Sequence, residues 1–396
     1  MRVAFFTRCL PEHGLGGMEI HAAQVARGLA ERGHEVVVYT TRLAVEASDR
    51  EEGNLHVRYL HNTRPRSYFG GYWTASRRAF LEDHRRSPFD VAYSESAGAF
   101  GVLSLRHPPV AVVVFLVGTP GMEMRSKLRH VRSWRNIAGA AWNLVHLVQS
   151  RRLLPRAARI LCESEGMRAW ALREMPLDPA RITVGRLGVD VRRFTPEGPV
   201  LPALRELPGT AVVMGGRLEM EKGFDIALRA LLDAAEHRDD FSVALIGSGT
   251  QEGALRALAD PLARRGRFHF SGPIPHDRLA EMYRGASIYL MPTRRHEGSA
   301  LSIVEAMACG CVVIASRIGG LATLFEEGED GLLTPPDDPK ALRIAIEEML
   351  DDPKARERIG RAARRSAIER YSLSAALDRI EDALRAAAGS FHGAGG

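Results

Sequence analysis

The sequence predicts an α/β protein of two doubly wound domains, each built on a mainly parallel sheet, and three observations lead there. Short apolar runs of strand length alternate with helical patterns almost from end to end. At 396 residues the chain is too long for one ordinary hydrophobic core, and two domains of roughly 150–200 residues each are expected. The rhythm breaks at 192–209, where Pro196, Pro199, Pro202 and Pro208 crowd a loop-rich stretch. The expected layout is an N-terminal domain over 1–190, a linker over 191–209 and a second domain over 210–370. A C-terminal helix with a flexible tail, 371–396, follows and packs back on the first domain.

Taken in order, a strand at 3–7 leads into the turn Gly14-Leu15-Gly16-Gly17 and a helix over about 18–32. Gly33 ends that helix and a strand follows at 35–40. Further strands fall at 57–60, 91–94, 110–117, 160–163 and 182–184. Beyond the break come strand 211–214, helix 225–237, strand 242–246, helix 251–264 and strand 268–271. Helix 277–285, strand 288–291, helix 302–308 and strand 312–315 continue the series, with helices in the last 60 residues. In open sheets of this kind ligands collect at the carboxyl ends of the strands. Two Rossmann-like domains facing each other across a cleft would offer two such edges to one pair of substrates.

Composition narrows the function classes. The apolar fraction of 45% is ordinary for a globular protein, and no apolar run reaches the ~18 residues that span a bilayer. The N-terminus enters a strand directly, without export-signal regions, so a cytoplasmic location is expected. Cys9, Cys162, Cys309 and Cys311 show no C-x-x-C spacing and read as reduced, structural residues. Cys309 and Cys311 flank Gly310 at a helix-to-strand turn that needs small side chains. Residues 1–190 hold 27 Lys and Arg against 18 Asp and Glu, and the remainder 27 against 30. The excess peaks at 121–160, with nine basic residues and one acid, Glu123, a field that attracts anionic partners.

The most informative segment runs from 288 to 316. A strand ends in Pro292-Thr293, and Arg294-Arg295-His296-Glu297-Gly298-Ser299-Ala300-Leu301 follows, then a helix carrying Glu305. Glu297 and Glu305 are eight residues apart. On one continuous helix that is about 12 Å, too far to share a metal or a proton. The spacing suits an extended ligand with hydroxyls at both ends and an anionic middle, the layout of a nucleotide-sugar. The amides at the helix start, near Ser302 and Ile303, would meet the diphosphate. A second segment, Met214-Gly215-Gly216-Arg217-Leu218-Glu219-Met220-Glu221-Lys222-Gly223-Phe224-Asp225, places two cations, Arg217 and Lys222, at a strand's carboxyl end. Such cations can bind a diphosphate and neutralise a departing one, and Asp225 could cap the next helix.

These segments resemble the retaining glycosyltransferases of family 4, which have the GT-B fold, and the resemblance runs over nearly the whole chain. It takes in Gly16-Gly17-Met18-Glu19, Arg32-Gly33-His34-Glu35-Val36, Gly188-Val189-Asp190 with Phe194 and Pro196, Gly319-Gly320, Glu326-Glu327-Gly328, and Gly331-Leu332-Leu333-Thr334-Pro335. The resemblance implies that Arg217 and Lys222 bind the donor diphosphate, Glu305 the ribose and Glu297 the transferred sugar, with Glu297, Arg217 and Lys222 as the catalytic set. It places Gly298, Ser299, Ala300, Leu301, Ser302 and Ile303 along the donor, and Gly16 and Gly17 beside its phosphates. Gly247, with Ser248 and Gly249, and Gly272 with Pro273 and Ile274 would line the nucleotide. It also implies retention of anomeric configuration, no cofactor and no metal.

Two positions depart from the family pattern. The first-domain motif often written His-Gly-Thr reads Val117-Gly118-Thr119 here, and valine can neither donate a hydrogen bond nor shuttle a proton. Either the donor phosphate with Arg217 and Lys222 carries catalysis, or the acceptor geometry differs, or activity is weak or absent. In the Glu297 loop the family's Phe-Gly pair is Ser299-Ala300, so the sugar pocket has a different shape. Val117, Gly118 and Thr119 are the acceptor-side candidates, with Glu95, which reads as a solvated loop carboxylate that could face the cleft. His21 reads as a packed or capping residue.

The acceptor is expected to be a glycan, a lipid-linked sugar or a small molecule. The stretch from Arg125, Lys127 and Arg129 through Trp134 and Trp142 to Arg151, Arg152 and Arg156 suits contact with an anionic membrane surface. A solvated face or a pocket for a charged soluble acceptor would need the same residues. Nucleic acid is not expected, since no aromatic-basic platform accompanies the charge. Two rivals stand beside a transferase: a sugar-nucleotide hydrolase or epimerase, and a donor-binding partner without turnover.

Overall fold

The computed structural model describes residues 1–14, 16–45, 48–129 and 134–393. Leu15 of the glycine turn, the tip of the tail at 394–396, and the side chains of Lys127, Leu128, Arg129, Trp134 and Trp142 lie outside this description. The chain divides into two compact units, Met1–Gly188 together with Leu373–Gly396, and Val189–Ser372.

The first unit is wound on eight strands: β1 (Arg2–Phe6), β2 (Glu35–Thr41), β3 (Arg50–Glu52), β4 (Leu55–Leu60), β5 (Val91–Glu95), β6 (Ala111–Leu116), β7 (Arg159–Cys162) and β8 (Ile182–Val184). Their order is β3-β4-β2-β1-β5-β6-β7-β8, parallel throughout except for the β3–β4 pair. Val3 to Phe6 and Val112 to Leu116 are buried, as parallel strands covered on both faces must be, which is why they read as unbroken apolar runs. β3 escaped the sequence reading because Arg50-Glu51-Glu52 is a charged edge strand with no apolar signal.

The helix Leu373–Gly393 belongs to this unit and packs on β5, β6, β7 and the helix Gly17–Glu31. Ala376, Leu377, Ile380, Leu384 and Ala387 are buried and form one helical stripe. A Cβ on Gly28 would come within 2.4 Å of Leu377 Cδ1, so glycine is what lets the two helices approach. The Arg32-Gly33-His34 turn clamps the same helix. Arg32 Nη1 lies 2.8 Å from Glu381 Oε2 and 2.7 Å from Asp378, and His34 Nε2 lies 2.8 Å from Glu381 Oε1. Burial raises the Glu381 carboxyl, but hydrogen bonds from His34, Arg32 and Arg385 prevail and hold it down at about 2.

The second unit has six parallel strands: β9 (Thr210–Arg217), β10 (Phe241–Ser248), β11 (Phe268–Ser271), β12 (Ile288–Met291), β13 (Val312–Ser316) and β14 (Leu332–Thr334), in the order β11-β10-β9-β12-β13-β14. Residues 191–209, which read as a linker, are fastened to this unit. Phe194 is fully buried, Arg284 donates to the carbonyls of Thr195 and Arg193 at 2.9 and 2.8 Å, and Arg364 donates to those of Phe194 and Val191 at 2.7 and 3.0 Å. The helix expected over 251–264 is two, Glu252–Leu258 and Asp260–Arg264, because Pro261 can start a helix but not continue one.

Inside the first unit His21 and Glu95 face each other without solvent, Nε2 to Oε1 at 3.5 Å, against the Phe115 ring and the Tyr93 hydroxyl. Glu95 is therefore no solvated loop carboxylate: as the last residue of β5 it is fully buried. Burial pushes its carboxyl up to about 8 and the His21 imidazole down to about 4, so both are neutral near pH 7. A carboxyl raised in the folded state contributes stability below its unfolded value and loses it as the pH rises through about 8. Glu95→Gln should remove that loss: between pH 7 and pH 9, where His21 is neutral in folded and unfolded chains alike, its melting temperature should hold while the wild type loses on the order of 1 kcal/mol of stability. Equal pH profiles would contradict the buried-acid assignment. Leu384→Ala, at a fully buried contact of the C-terminal helix, should cost about 2–5 kcal/mol in denaturant titration.

Candidate functional site

At the carboxyl edge of the second sheet the strands run further than their apolar residues suggest. β9 continues through Gly215 and Gly216 to Arg217, paired with Ile246, Gly247 and Ser248 of β10. Gly216 and Gly247 hold φ of 140° and 136°, and a Cβ on Gly247 would sit 1.9 Å from the Gly216 oxygen. Gly247 is accounted for by this close strand pairing. Past Arg217 the chain forms a short 3₁₀ turn, Met220–Lys222, which Gly223 ends at φ 69°. A Cβ at Gly223 would lie 1.9 Å from the Pro292 oxygen, so glycine allows this turn to press against the end of β12.

That approach is secured by Arg294, which is 8% exposed. Its guanidinium forks onto Asp225 at 2.6 and 2.8 Å, donates to the Met220 oxygen at 2.8 Å and meets Asp337 through Nε. The Arg294 amide and the Thr293 hydroxyl donate to the Glu221 oxygen at 2.9 and 3.2 Å. Asp225 is thus an Arg294 partner and not the helix cap the sequence suggested. The helix Phe224–Ala234 starts from Gly223 without a side-chain cap. Burial would raise the Asp225 carboxyl, yet Arg294 holds it below the usual range.

With both loops stapled, Lys222 Nζ reaches Glu297 Oε1 at 2.6 Å, the two side chains being 16% and 13% exposed. The Glu297 carbonyl receives the Gly320 amide at 2.7 Å, and a Cβ on Gly319 would stand 2.6 Å from the same oxygen. Arg217 extends into solvent, 64% exposed, with Nη2 3.4 Å from Glu221. Gly298, Ser299, Ala300 and Leu301 are buried, and the Ser299 hydroxyl oxygen meets no hydrogen-bond partner among the described residues. The helix begins at Leu301. The Ile303 amide already donates to the Ala300 carbonyl at 3.0 Å, so the leading amides are those of Leu301 and Ser302.

Glu305 lies on this helix, 3% exposed. Both of its oxygens are engaged, Oε1 with His276 Nε2 at 2.8 Å and Oε2 with the Tyr283 hydroxyl at 3.1 Å. His276 closes the loop that starts with exposed Gly272 and half-buried Ile274, and Phe194 backs it, ring centroids 5.7 Å apart.

In the first unit Gly16 precedes the helix Gly17–Glu31, and a Cβ there would come within 2.4 Å of Glu19 Oε2. Glu19 in turn pairs with Arg66 at 3.2 Å. Val117 and Gly118 are half-buried, and Thr119 is buried with its hydroxyl donating to Glu174 at 2.6 Å.

Residues 15–193 match the family profile described as Glycosyltransferase Family 4, and residues 206–366 the one described as Glycosyl transferases group 1. The chain belongs to glycosyltransferase family 4. Curated relatives of this glycosyltransferase include the D-inositol 3-phosphate glycosyltransferase of Acidothermus cellulolyticus, 29% identical over 385 residues and covering 85% of this chain and 78% of that protein. That of Thermobifida fusca is 28% identical over 373 residues, covering 88% and 83%. Among solved structures, sucrose-phosphate synthase from Thermosynechococcus elongatus superposes with a TM-score of 0.79 at 22% identity, over 97% of this chain and 98% of that one. The Anabaena protein HepE in complex with UDP-glucose gives 0.73 at 19% identity, over 98% and 100%. The fold is GT-B.

In this family 4 glycosyltransferase, Lys222 and Glu297 touch, and Arg217 joins Arg295 through their common neighbour Glu221. Glu305 lies on the helix that follows Glu297, and Tyr289 of β12 donates its hydroxyl to the Gly215 oxygen at 3.2 Å. Sequence reasoning missed Arg294, His276 and Tyr283. Arg294 sits in a run of basic residues and its partner Asp225 is 69 positions away, so nothing local marked it. Arg294→Gln should leave the partly buried Asp225 without its partner and destabilise the second unit by roughly 1–3 kcal/mol, and Asp225→Asn in the same chain should restore part of it. Thermal unfolding that leaves Arg294→Gln level with the wild type would refute the staple.

Proposed function

We propose that this glycosyltransferase moves a hexose from a nucleoside-diphosphate sugar to an acceptor hydroxyl, with retention of anomeric configuration and without a divalent metal. The observation that carries the reading is the Lys222–Glu297 contact of 2.6 Å beside Arg217, at the carboxyl end of β9, with Glu305 on the following helix. Arg217 and Lys222 neutralise the diphosphate as the bond from the sugar C1 to the phosphate oxygen breaks. Glu297 accepts hydrogen bonds from the sugar hydroxyls, and Glu305 accepts them from the ribose. The acceptor oxygen bonds to C1 on the face the phosphate leaves, and its proton passes to the departing phosphate oxygen, since Val117 can take none.

HepE binds UDP-glucose, which supports a uridine donor, and the relatives' name supports a phosphorylated polyol as the acceptor. We further assign the chain to the cytoplasm, at an anionic membrane face. Leu144, Val145 and Val148 are 53%, 47% and 61% exposed on the helix Trp134–Leu153, with Arg151 and Arg152 exposed on the same side. Among the described residues no helix is long and apolar enough to cross a membrane. Co-sedimentation with acidic vesicles should fall steeply with salt.

Glu305→Gln keeps the side chain's size while removing its charge, and should weaken UDP binding by roughly 10- to 100-fold with little change in melting temperature. Wild-type affinity in that variant would sink the donor assignment. Turnover should persist in EDTA, and proton NMR should find the donor's anomeric configuration in the product. The second reading, a donor-binding partner without turnover, rests on Val117; UDP binding with no transfer to any acceptor would select it.

A further inference from the structure

Beside the acceptor-side loop of the first unit lies a cavity of about 290 Å³, walled by Gly121, Met124, Arg125, Leu147, Trp170, Arg173 and Glu174. Three helices supply these residues: Pro120–Arg129, Trp134–Leu153 and Glu165–Glu174. Its chemistry is unlike that of the donor edge. The Arg125 and Arg173 guanidinium carbons stand 4.9 and 5.4 Å from the centroid of the Trp170 ring. Two like charges are gathered on one indole, which attracts each through its quadrupole but does not neutralise either. Neither arginine forms an ion pair with an acid among the described residues.

The nearest carboxylate is committed elsewhere. Glu174 accepts from the Thr119 hydroxyl at 2.6 Å, the Gly121 amide at 2.8 Å and Trp170 Nε1 at 2.8 Å. A Cβ on Gly121 would lie 2.5 Å from Glu174 Oε2, so glycine is what admits the carboxylate there. Glu174 thereby fixes the indole on one side and the Val117-Gly118-Thr119 loop on the other. The cavity wall and the acceptor-side loop are one hydrogen-bonded assembly.

We propose that this cavity is an anion subsite for a phosphate monoester carried by the acceptor. Arg125 and Arg173 grip the phosphate oxygens, for which the guanidinium fork is suited. Met124, Leu147 and the Trp170 face cover the carbon skeleton next to it. The volume sits at the lower end of small-molecule sites, roughly 300–1,000 Å³. It accommodates a phosphate and the group bearing it but not a whole nucleotide-sugar, so it is not a second donor site. The inference deepens the acceptor reading above and rests on it. The same chemistry serves a soluble sugar or polyol phosphate and a lipid phosphate headgroup.

Calorimetry on the full chain saturated with UDP, which fills the diphosphate site, tests this with two probes. One is inositol 3-phosphate, the other a short-chain phosphatidic acid kept below its micelle concentration. At least one probe should bind, and Arg125→Ala and Arg173→Ala should each weaken it about tenfold or more. Arg85→Ala, an exposed arginine elsewhere in the unit, should leave it unchanged. Loss confined to the polyol phosphate assigns a soluble acceptor, and loss confined to the lipid assigns a headgroup. Wild-type affinity in both cavity variants, or no binding of either probe to the wild type, overturns the subsite. UDP binding is read separately in every variant. Its absence from the wild type would strike the transferase reading, whereas its persistence with unaltered phosphate binding would strike this inference alone.

Discussion

The carboxyl edge of the second unit's sheet depends on one buried guanidinium. Arg294 is the point at which the loop after β12, the turn after β9 and the start of the next helix are joined, through Glu221, Met220 and Asp225. Lysine could not do this. A single ammonium can meet one carboxylate well, whereas the planar fork satisfies Asp225 with two parallel hydrogen bonds and still has donors left for a carbonyl and a second acid. Removing such a group leaves the Asp225 carboxylate and the Met220 carbonyl without their donor, so its cost includes unmet hydrogen bonds as well as the lost pair. The 2.6 Å contact of Lys222 with Glu297 is a consequence of this staple, since each residue sits on one of the loops it joins.

Glycine makes the same approach sterically possible. At Gly223 the φ of 69° and the 1.9 Å that would separate a Cβ from the Pro292 oxygen both forbid a side chain. At Gly247 a Cβ would stand 1.9 Å from the Gly216 oxygen, so β9 and β10 close further than a side chain there would permit, and the sheet extends to Arg217. Glu305 is fixed by a different route. His276 and Tyr283 bind its two oxygens, Phe194 packs on both rings, and Arg284 anchors the backbone on either side of Phe194. The segment that reads as a linker is therefore part of the foundation of the ribose-binding carboxylate proposed here.

Much of this was legible in the sequence, for reasons that can be separated. Most strands of both sheets announced themselves because parallel strands buried on two faces must be apolar throughout, as Val112 to Leu116 are, whereas the charged β3 and the three-residue β14 gave no such signal. Arg217, Lys222 and Glu297 stood out because each stands next to a glycine in a loop after a strand, and Glu305 because it follows Glu297 by eight residues on the next helix. What stayed hidden was long-range pairing. Asp225 looked like a cap because caps are local, and nothing near it pointed to Arg294. Glu95 looked solvated because a carboxylate at a strand end usually is. Its burial depends on His21 and Phe115 arriving from other elements. The prolines at 192–209 marked irregular backbone truthfully but said nothing of the arginines that pin it.

The neutral pair in the first unit bears on how a proton can move. A general base needs to be deprotonated at working pH and within reach of its proton. Glu95, pushed up to about 8 by burial, is protonated near neutrality and has no solvent-facing oxygen. His21 is neutral but enclosed with it, and Val117 offers no acceptor. Glu174, the carboxylate nearest the acceptor-side loop, spends its oxygens on Thr119, Gly121 and Trp170. The ionisable groups of the first unit described here are thus committed to structure, or, in Arg125 and Arg173, carry positive charge. The charge that changes during the proposed transfer belongs to the diphosphate, and the groups placed to follow it, Arg217 and Lys222, lie at the end of β9. On that division of labour the transfer proposed above has the leaving group itself receive the proton.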